Sequence, residues 1–100
     1  MILKIKKEKK YKKCITVIAT AYTHTGASTA TGIYPLYEGI VAVDPAIIPL
    51  HTKLYIPGYG KAVAEDTGGD IIGYRIDLFH ETYEEAINFG RKEVKVYIYE

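Results

Sequence analysis

Apolar residues in this chain arrive in short bursts. Ile15–Ala21 (ITVIATA), Gly39–Val43 (GIVAV), Lys53–Ile56 (KLYI), Lys61–Glu65 (KAVAE), Arg75–Phe79 (RIDLF) and Val94–Tyr99 each run for four to seven residues. Most are rich in β-branched and aromatic residues, which favour a pleated, half-buried surface. The last alternates cleanly, with Val94, Val96 and Ile98 on one face and Lys95, Tyr97 and Tyr99 on the other. A period of two is the strand signature. None of the runs is long enough to cross a bilayer as a helix.

Turn residues separate the bursts. Pro45 biases Asp44 away from helix and ends the second run. Pro57-Gly58-Tyr59-Gly60 joins two runs and predicts a hairpin. His24–Gly32 (HTGASTATG) and Asp66-Thr67-Gly68-Gly69-Asp70 hold small and polar residues and read as loops. One helix is signalled. Thr82 with Glu85 three residues on fits a capping box, Tyr83–Phe89 is helical in composition, and Gly90 suits the position just past the end. Six short strands and one short helix predict a mainly β fold, a small closed barrel.

One hundred residues accommodate one such domain. The net charge of +1 conceals an asymmetry, because residues 1–13 carry seven lysines and a single acid, Glu8. The remainder holds six basic and eleven acidic residues, a net −5. Residues 1–14 are therefore expected to be a basic, flexible leader and residues 15–100 the folded domain. The leader's charge suits an anionic partner, but an acidic body without a basic stripe argues against nucleic-acid recognition. The basic start lacks the apolar segment of a signal peptide. Cys14 is the only cysteine, so no internal disulfide forms; opening an apolar run, it is expected to be a buried structural thiol. Ten tyrosines without a tryptophan suit half-buried strands and sugar-contacting surfaces alike.

Asp44, Asp66 and Asp77 each sit at or near the end of an apolar run. Crowded carboxylates cannot all ionise cheaply, so one is raised into the range of a general acid. Aspartate also bonds turn backbone routinely, and spacing alone leaves a structural role open for each of the three. Asp66-Thr67-Gly68 resembles the catalytic turn of aspartic proteases, which would require a homodimer sharing one proton. Glu65 before it, and Ile71-Ile72-Gly73 directly after it, depart from that pattern. His24, His51 and His80 fit no zinc spacing, and no metal or other cofactor is expected. His80 reads as a surface or rim residue. Ser28 has no neighbouring His–Asp arrangement to activate it.

The ordered segments Ala19–Thr23 (ATAYT), Thr29–Gly32 (TATG), Ile40–Pro45 (IVAVDP), Ile48–Leu50 (IPL), Tyr55–Gly60 (YIPGYG), Ala64–Gly69 (AEDTGG) and Gly73–Leu78 (GYRIDL) resemble the 3D domain. That family is named for three aspartates. It occurs in membrane-bound lytic murein transglycosylase A and in stationary-phase and spore-associated wall proteins of Gram-positive bacteria. The likeness spans roughly residues 15–99. It implies a six-stranded double-psi β-barrel in the cell envelope or outside the bacterial cell. It also implies non-hydrolytic cleavage of the MurNAc–GlcNAc β-1,4 bond of peptidoglycan glycan strands to a 1,6-anhydromuramoyl end. On this resemblance Asp77 is the acid that turns base, Asp66 tunes it, and Asp44 supports the site. Tyr22, Thr23, Thr31, Gly32, Thr67, Gly68 and Gly69 are then expected to line the groove. A non-catalytic polysaccharide-binding module is the alternative reading. Two departures stand out: many relatives carry cysteines in the loop that reads His24–Ser28 here, and His51 stands where relatives usually have glycine. With the barrel alone, the groove is formed by the domain itself or by pairing with a second copy through strand exchange.

Overall fold

A computed structural model describes residues 11–33 and 39–99. Six strands, β1 (Tyr11–Tyr22), β2 (Ile40–Val43), β3 (Lys53–Ile56), β4 (Gly60–Asp66), β5 (Arg75–Phe79) and β6 (Lys92–Tyr99), close into a barrel in the order β1-β5-β2-β4-β3-β6. Among the described residues one helix, α1 (Tyr83–Phe89), crosses between β5 and β6. The fold is thus mainly β, as the short apolar runs required. One chain supplies all six strands, and closure leaves no unpaired sheet edge among the described residues.

Alternation decides what faces inward. Val17 and Ala19 of β1, Leu54 and Ile56 of β3, Ala62 and Ala64 of β4, Ile76 and Leu78 of β5, and Val96 and Ile98 of β6 fill the interior together with Val41 and Val43. Ile48, from the β2–β3 connection, completes this core. The hairpin expected around Pro57-Gly58 joins β3 to β4, with Ile56 opposite Gly60. Helix α1 has the expected caps. The Thr82 hydroxyl accepts the Glu85 N–H at 3.0 Å, and Gly90, at φ 70°, donates its N–H to Ala86 O.

Three expectations are corrected. β1 begins at Tyr11, not Ile15, because Tyr11–Cys14 pair antiparallel with Tyr97–Tyr99 of β6. Residues 11–14 of the expected leader therefore belong to the barrel wall, while residues 1–10 lie outside the described residues. Cys14 is exposed, since alternation along β1 turns it outward opposite Tyr97. His80 is buried, only 6% exposed, between the rings of Tyr59 and Phe89. His51, the residue in place of a usual glycine, does adopt a left-handed backbone with φ 75°.

Candidate active site

Strand register assembles the site. Thr20 of β1 pairs with Asp77 of β5, Asp77 pairs with Ala42 of β2, and Ala42 pairs with Asp66 of β4. These four residues form one row across four adjacent strands. On β5 the neighbours Ile76 and Leu78 point into the core, so Asp77 points out of it. On β4 the same rule would turn Asp66 inward, following Ala62 and Ala64. A β-bulge prevents this. Val41 pairs with Ala64 but Ala42 pairs with Asp66, leaving Glu65 as the extra residue. Bulges re-aim side chains in this way. The two carboxylates thus flank Ala42, their backbones about 10 Å apart, or two strand spacings.

Between them lies a cavity of about 250 Å³, lined by Asp66, Asp77, Ala42, Tyr22, Thr67 and Gly68 among others. The methyl of Ala42 is the smallest floor a chiral residue provides. Thr25, Ala27 and Ser28 from the loop after β1, and Ile71 from the loop before β5, complete the walls. Asp77 Oδ1 accepts a hydrogen bond from the Thr20 hydroxyl at 2.9 Å. Burial raises the pKa of Asp77; the Thr20 bond and Arg75 oppose that rise, and the charge of Asp66 adds to it. Asp66 Oδ1 accepts the backbone N–H groups of Ala30 (2.9 Å) and Thr67 (2.8 Å), tying the loop after β1 to the end of β4. Burial, with Asp66 and Asp77 nearby, pushes the phenol of Tyr22 well above its ordinary range, so it stays protonated. Its hydroxyl is buried and has no hydrogen-bond partner among the described residues.

The third aspartate is placed differently. Asp44 does not line the cavity. Its Oδ1 accepts the Ala46 N–H at 3.0 Å and its Oδ2 the Gly73 N–H at 2.7 Å. These bonds hold its pKa below the usual carboxylate value. Asp44 thereby fastens the turn that leads into β5.

The remaining expected groove residues divide. Tyr22, Thr67 and Gly68 line the cavity; Thr23, Thr31, Gly32 and Gly69 do not. A Cβ on Gly68 would lie 3.0 Å from Ile71 Cγ1, so this glycine allows the loop to fold back. The Thr31 hydroxyl is bonded to Glu65 Oε1 at 2.6 Å, away from the cavity. Thr20 and Ala42 were not singled out from the sequence. The signal for Thr20 was its i, i+2 relation to Tyr22, which puts both on one strand face. Nothing in the sequence marked Ala42, whose importance comes from register alone. Among the described residues no group of three or more His, Cys, Asp and Glu side chains is arranged to hold a metal ion.

The family model described as "3D domain" matches residues 39–100. The chain is 47% identical over 92 residues to the cell wall-binding protein YocH of Bacillus subtilis (strain 168), a match covering 84% of this chain and 32% of that protein. It is 43% identical to the putative cell wall shaping protein YabE of the same organism, over 86% of this chain and 23% of that protein. The chain thus spans about a third or less of these relatives. Among solved structures, the barrel resembles MltA from Escherichia coli, described as having a unique lytic transglycosylase fold. The TM-score is 0.62 at 24% identity, covering 74% of this chain and 27% of that one. With the fold, the aspartate row and the family match in agreement, the chain belongs to the 3D domain family.

Proposed function

We propose that the cavity between Asp66 and Asp77 is a peptidoglycan lytic transglycosylase site, working at the bacterial cell envelope. The observation that carries this reading is Asp77 itself. It is a half-buried carboxyl with a raised pKa, next to a second carboxylate across a groove floored by alanine. A raised carboxyl holds its proton until the leaving oxygen needs it. Hydrolytic glycosidases usually need two reacting carboxyls. A substrate whose own 6-hydroxyl attacks needs one. Protonated Asp77 gives its proton to the glycosidic oxygen as the bond from C1 of the muramoyl residue breaks. The 6-oxygen then bonds to C1, and its proton passes to the Asp77 carboxylate, restoring the acid. Asp66 keeps the field negative where positive charge develops on the sugar ring. Asp44 acts through the Gly73 turn and not on the substrate.

A second reading, a non-catalytic wall-polysaccharide module, is favoured by one observation: YocH, 47% identical, is described as a cell wall-binding protein. Digestion of purified peptidoglycan followed by mass spectrometry separates the two. The enzyme reading expects 1,6-anhydromuramoyl ends, lost in Asp77→Asn with glycan binding retained. Binding without any anhydro product from the folded wild type, across acid to neutral pH, leaves the binding module.

A further inference from the structure

A second cavity, of about 360 Å³, opens at the C-terminal end of β5 and is lined by Gly58, Tyr59, His80, Glu85, Asn88 and Phe89. It shares no lining residue with the Asp66–Asp77 cavity. Its volume is at the lower end of the range for small-molecule sites. His80 is the informative residue, because a polar ring this deeply buried is costly unless its nitrogens are used. Nδ1 lies 3.0 Å from Leu78 O. A carbonyl only accepts, so Nδ1 carries the proton, and in the neutral ring Nε2 presents a lone pair. That lone pair has no hydrogen-bond partner among the described residues. The ring is fixed edge-on to Tyr59 at 5.4 Å and tilted against Phe89 at 5.2 Å.

The lining therefore offers acceptors at His80 Nε2 and the Glu85 carboxylate, an amide that both donates and accepts at Asn88, and two aromatic rings. Hydrogen-bond donors around an apolar ring face are what this set accepts, and that describes a pyranose. The Lys92 ammonium, 4.4 Å over the Phe89 ring, offsets the Glu85 charge beside the cavity, and the Asn88 amide pairs reciprocally with an acetamido group. We infer that this cavity binds an N-acetylated hexosamine of a glycan strand, at a position separate from Asp77. The inference rests on the proposal that the chain works on glycan strands, and adds a second point of grip just past the C-terminal end of β5.

Titrating the ¹⁵N-labelled full chain with the tetramer of N-acetylglucosamine tests it. Backbone signals of His80, Asn88 and Phe89 are expected to move, in the wild type and in Asp77→Asn alike. Asn88 is exposed on α1, so Asn88→Ala keeps the fold; it is expected to weaken the response at these signals by about three- to tenfold, the range of one net hydrogen bond. Movement confined to Tyr22, Thr67 and Gly68 would overturn the second site and leave the proposed function standing. No movement at either place would remove both. Movement at His80 and Asn88 with a lysine-containing tripeptide, but not with the tetramer, would overturn the sugar assignment in favour of a cationic amine held by Glu85.

Discussion

Thr31→Val tests whether the loop over the cavity is held by one short relay of hydroxyls. The Ile33 N–H donates to Thr29 Oγ1 (3.1 Å), Thr29 and Thr31 hydroxyls are 3.2 Å apart, and Thr31 Oγ1 reaches Glu65 Oε1 at 2.6 Å. Each hydroxyl has a single proton. Thr31 must give its own to the carboxylate, and it then accepts from Thr29. Chains of this kind reinforce one another. Valine keeps the shape of threonine and removes both functions. A hydrogen bond to a charged acceptor contributes about 1.5–3 kcal/mol. The Glu65 side chain is only 12% exposed, so solvent replaces little of the bond and the loss is at least the lower figure, about 1.5 kcal/mol. For a domain of this size that lowers Tm by about 6–12 °C. Thermal unfolding by circular dichroism reads the change. A double-mutant cycle with Glu65→Ala isolates the pair, with an expected coupling of about 1–2 kcal/mol. Hydrogen exchange at the Ala30 and Gly32 amides, which bond to Asp66 Oδ1 and Thr29 O, should accelerate in parallel. An unchanged Tm together with unchanged exchange at those amides would show that the relay does not hold the loop.

Three further outcomes follow from the same geometry. Ala42→Leu should fill the floor between Asp66 and Asp77, abolishing glycan-induced shifts at Tyr22, Thr67 and Gly68 while those at His80 and Asn88 persist; because Ala42 is itself only 4% exposed, stability should fall by about 1–3 kcal/mol. Because folding raises the Asp77 pKa, its ionisation costs stability. The penalty is absent below the ordinary carboxylate value and grows as pH rises through the folded value, so Asp77→Asn should melt above the wild type at neutral pH and level with it in acid. His51→Gly should relieve the left-handed backbone at φ 75°. Allowing for glycine's entropy and the loss of a weak 3.7 Å contact with Glu65, thermal melts should show a gain of about 0.5 kcal/mol.

Local signals in the sequence carried the strands and the helix, and positional signals were missing. Thr82, Glu85 and Gly90 marked α1 because caps are local chemistry. The hairpin at Pro57-Gly58 and the alternation of β6 were legible for the same reason. Tyr11–Cys14 were misread because lysines and tyrosines carry no apolar burst; only their pairing with β6 makes them strand. Cys14 and His80 were each assigned by neighbours in the chain, yet their burial is decided by partners far along it. The aspartates divided in the same way. Turn chemistry left a backbone-bonding role open for all three, and Asp44 and Asp66 both accept backbone N–H groups, but no local pattern reveals that the bulge at Glu65 turns Asp66 to the side of the sheet that Asp77 occupies.

The closing seam between β1 and β6 has a consequence for how such a domain is carried. Tyr11 pairs with Tyr99, so the first and last described residues stand at opposite ends of one ladder rung. A host chain can enter and leave at a single point on its surface, as in tolerated domain insertions. The same seam joins segments separated by nearly the whole sequence, and long loops must close before it forms. Topology of this kind makes folding slow, and the seam cannot form before β6 has been made. A ribosome-bound chain would then hold an open, four- or five-strand precursor until Tyr99 has emerged.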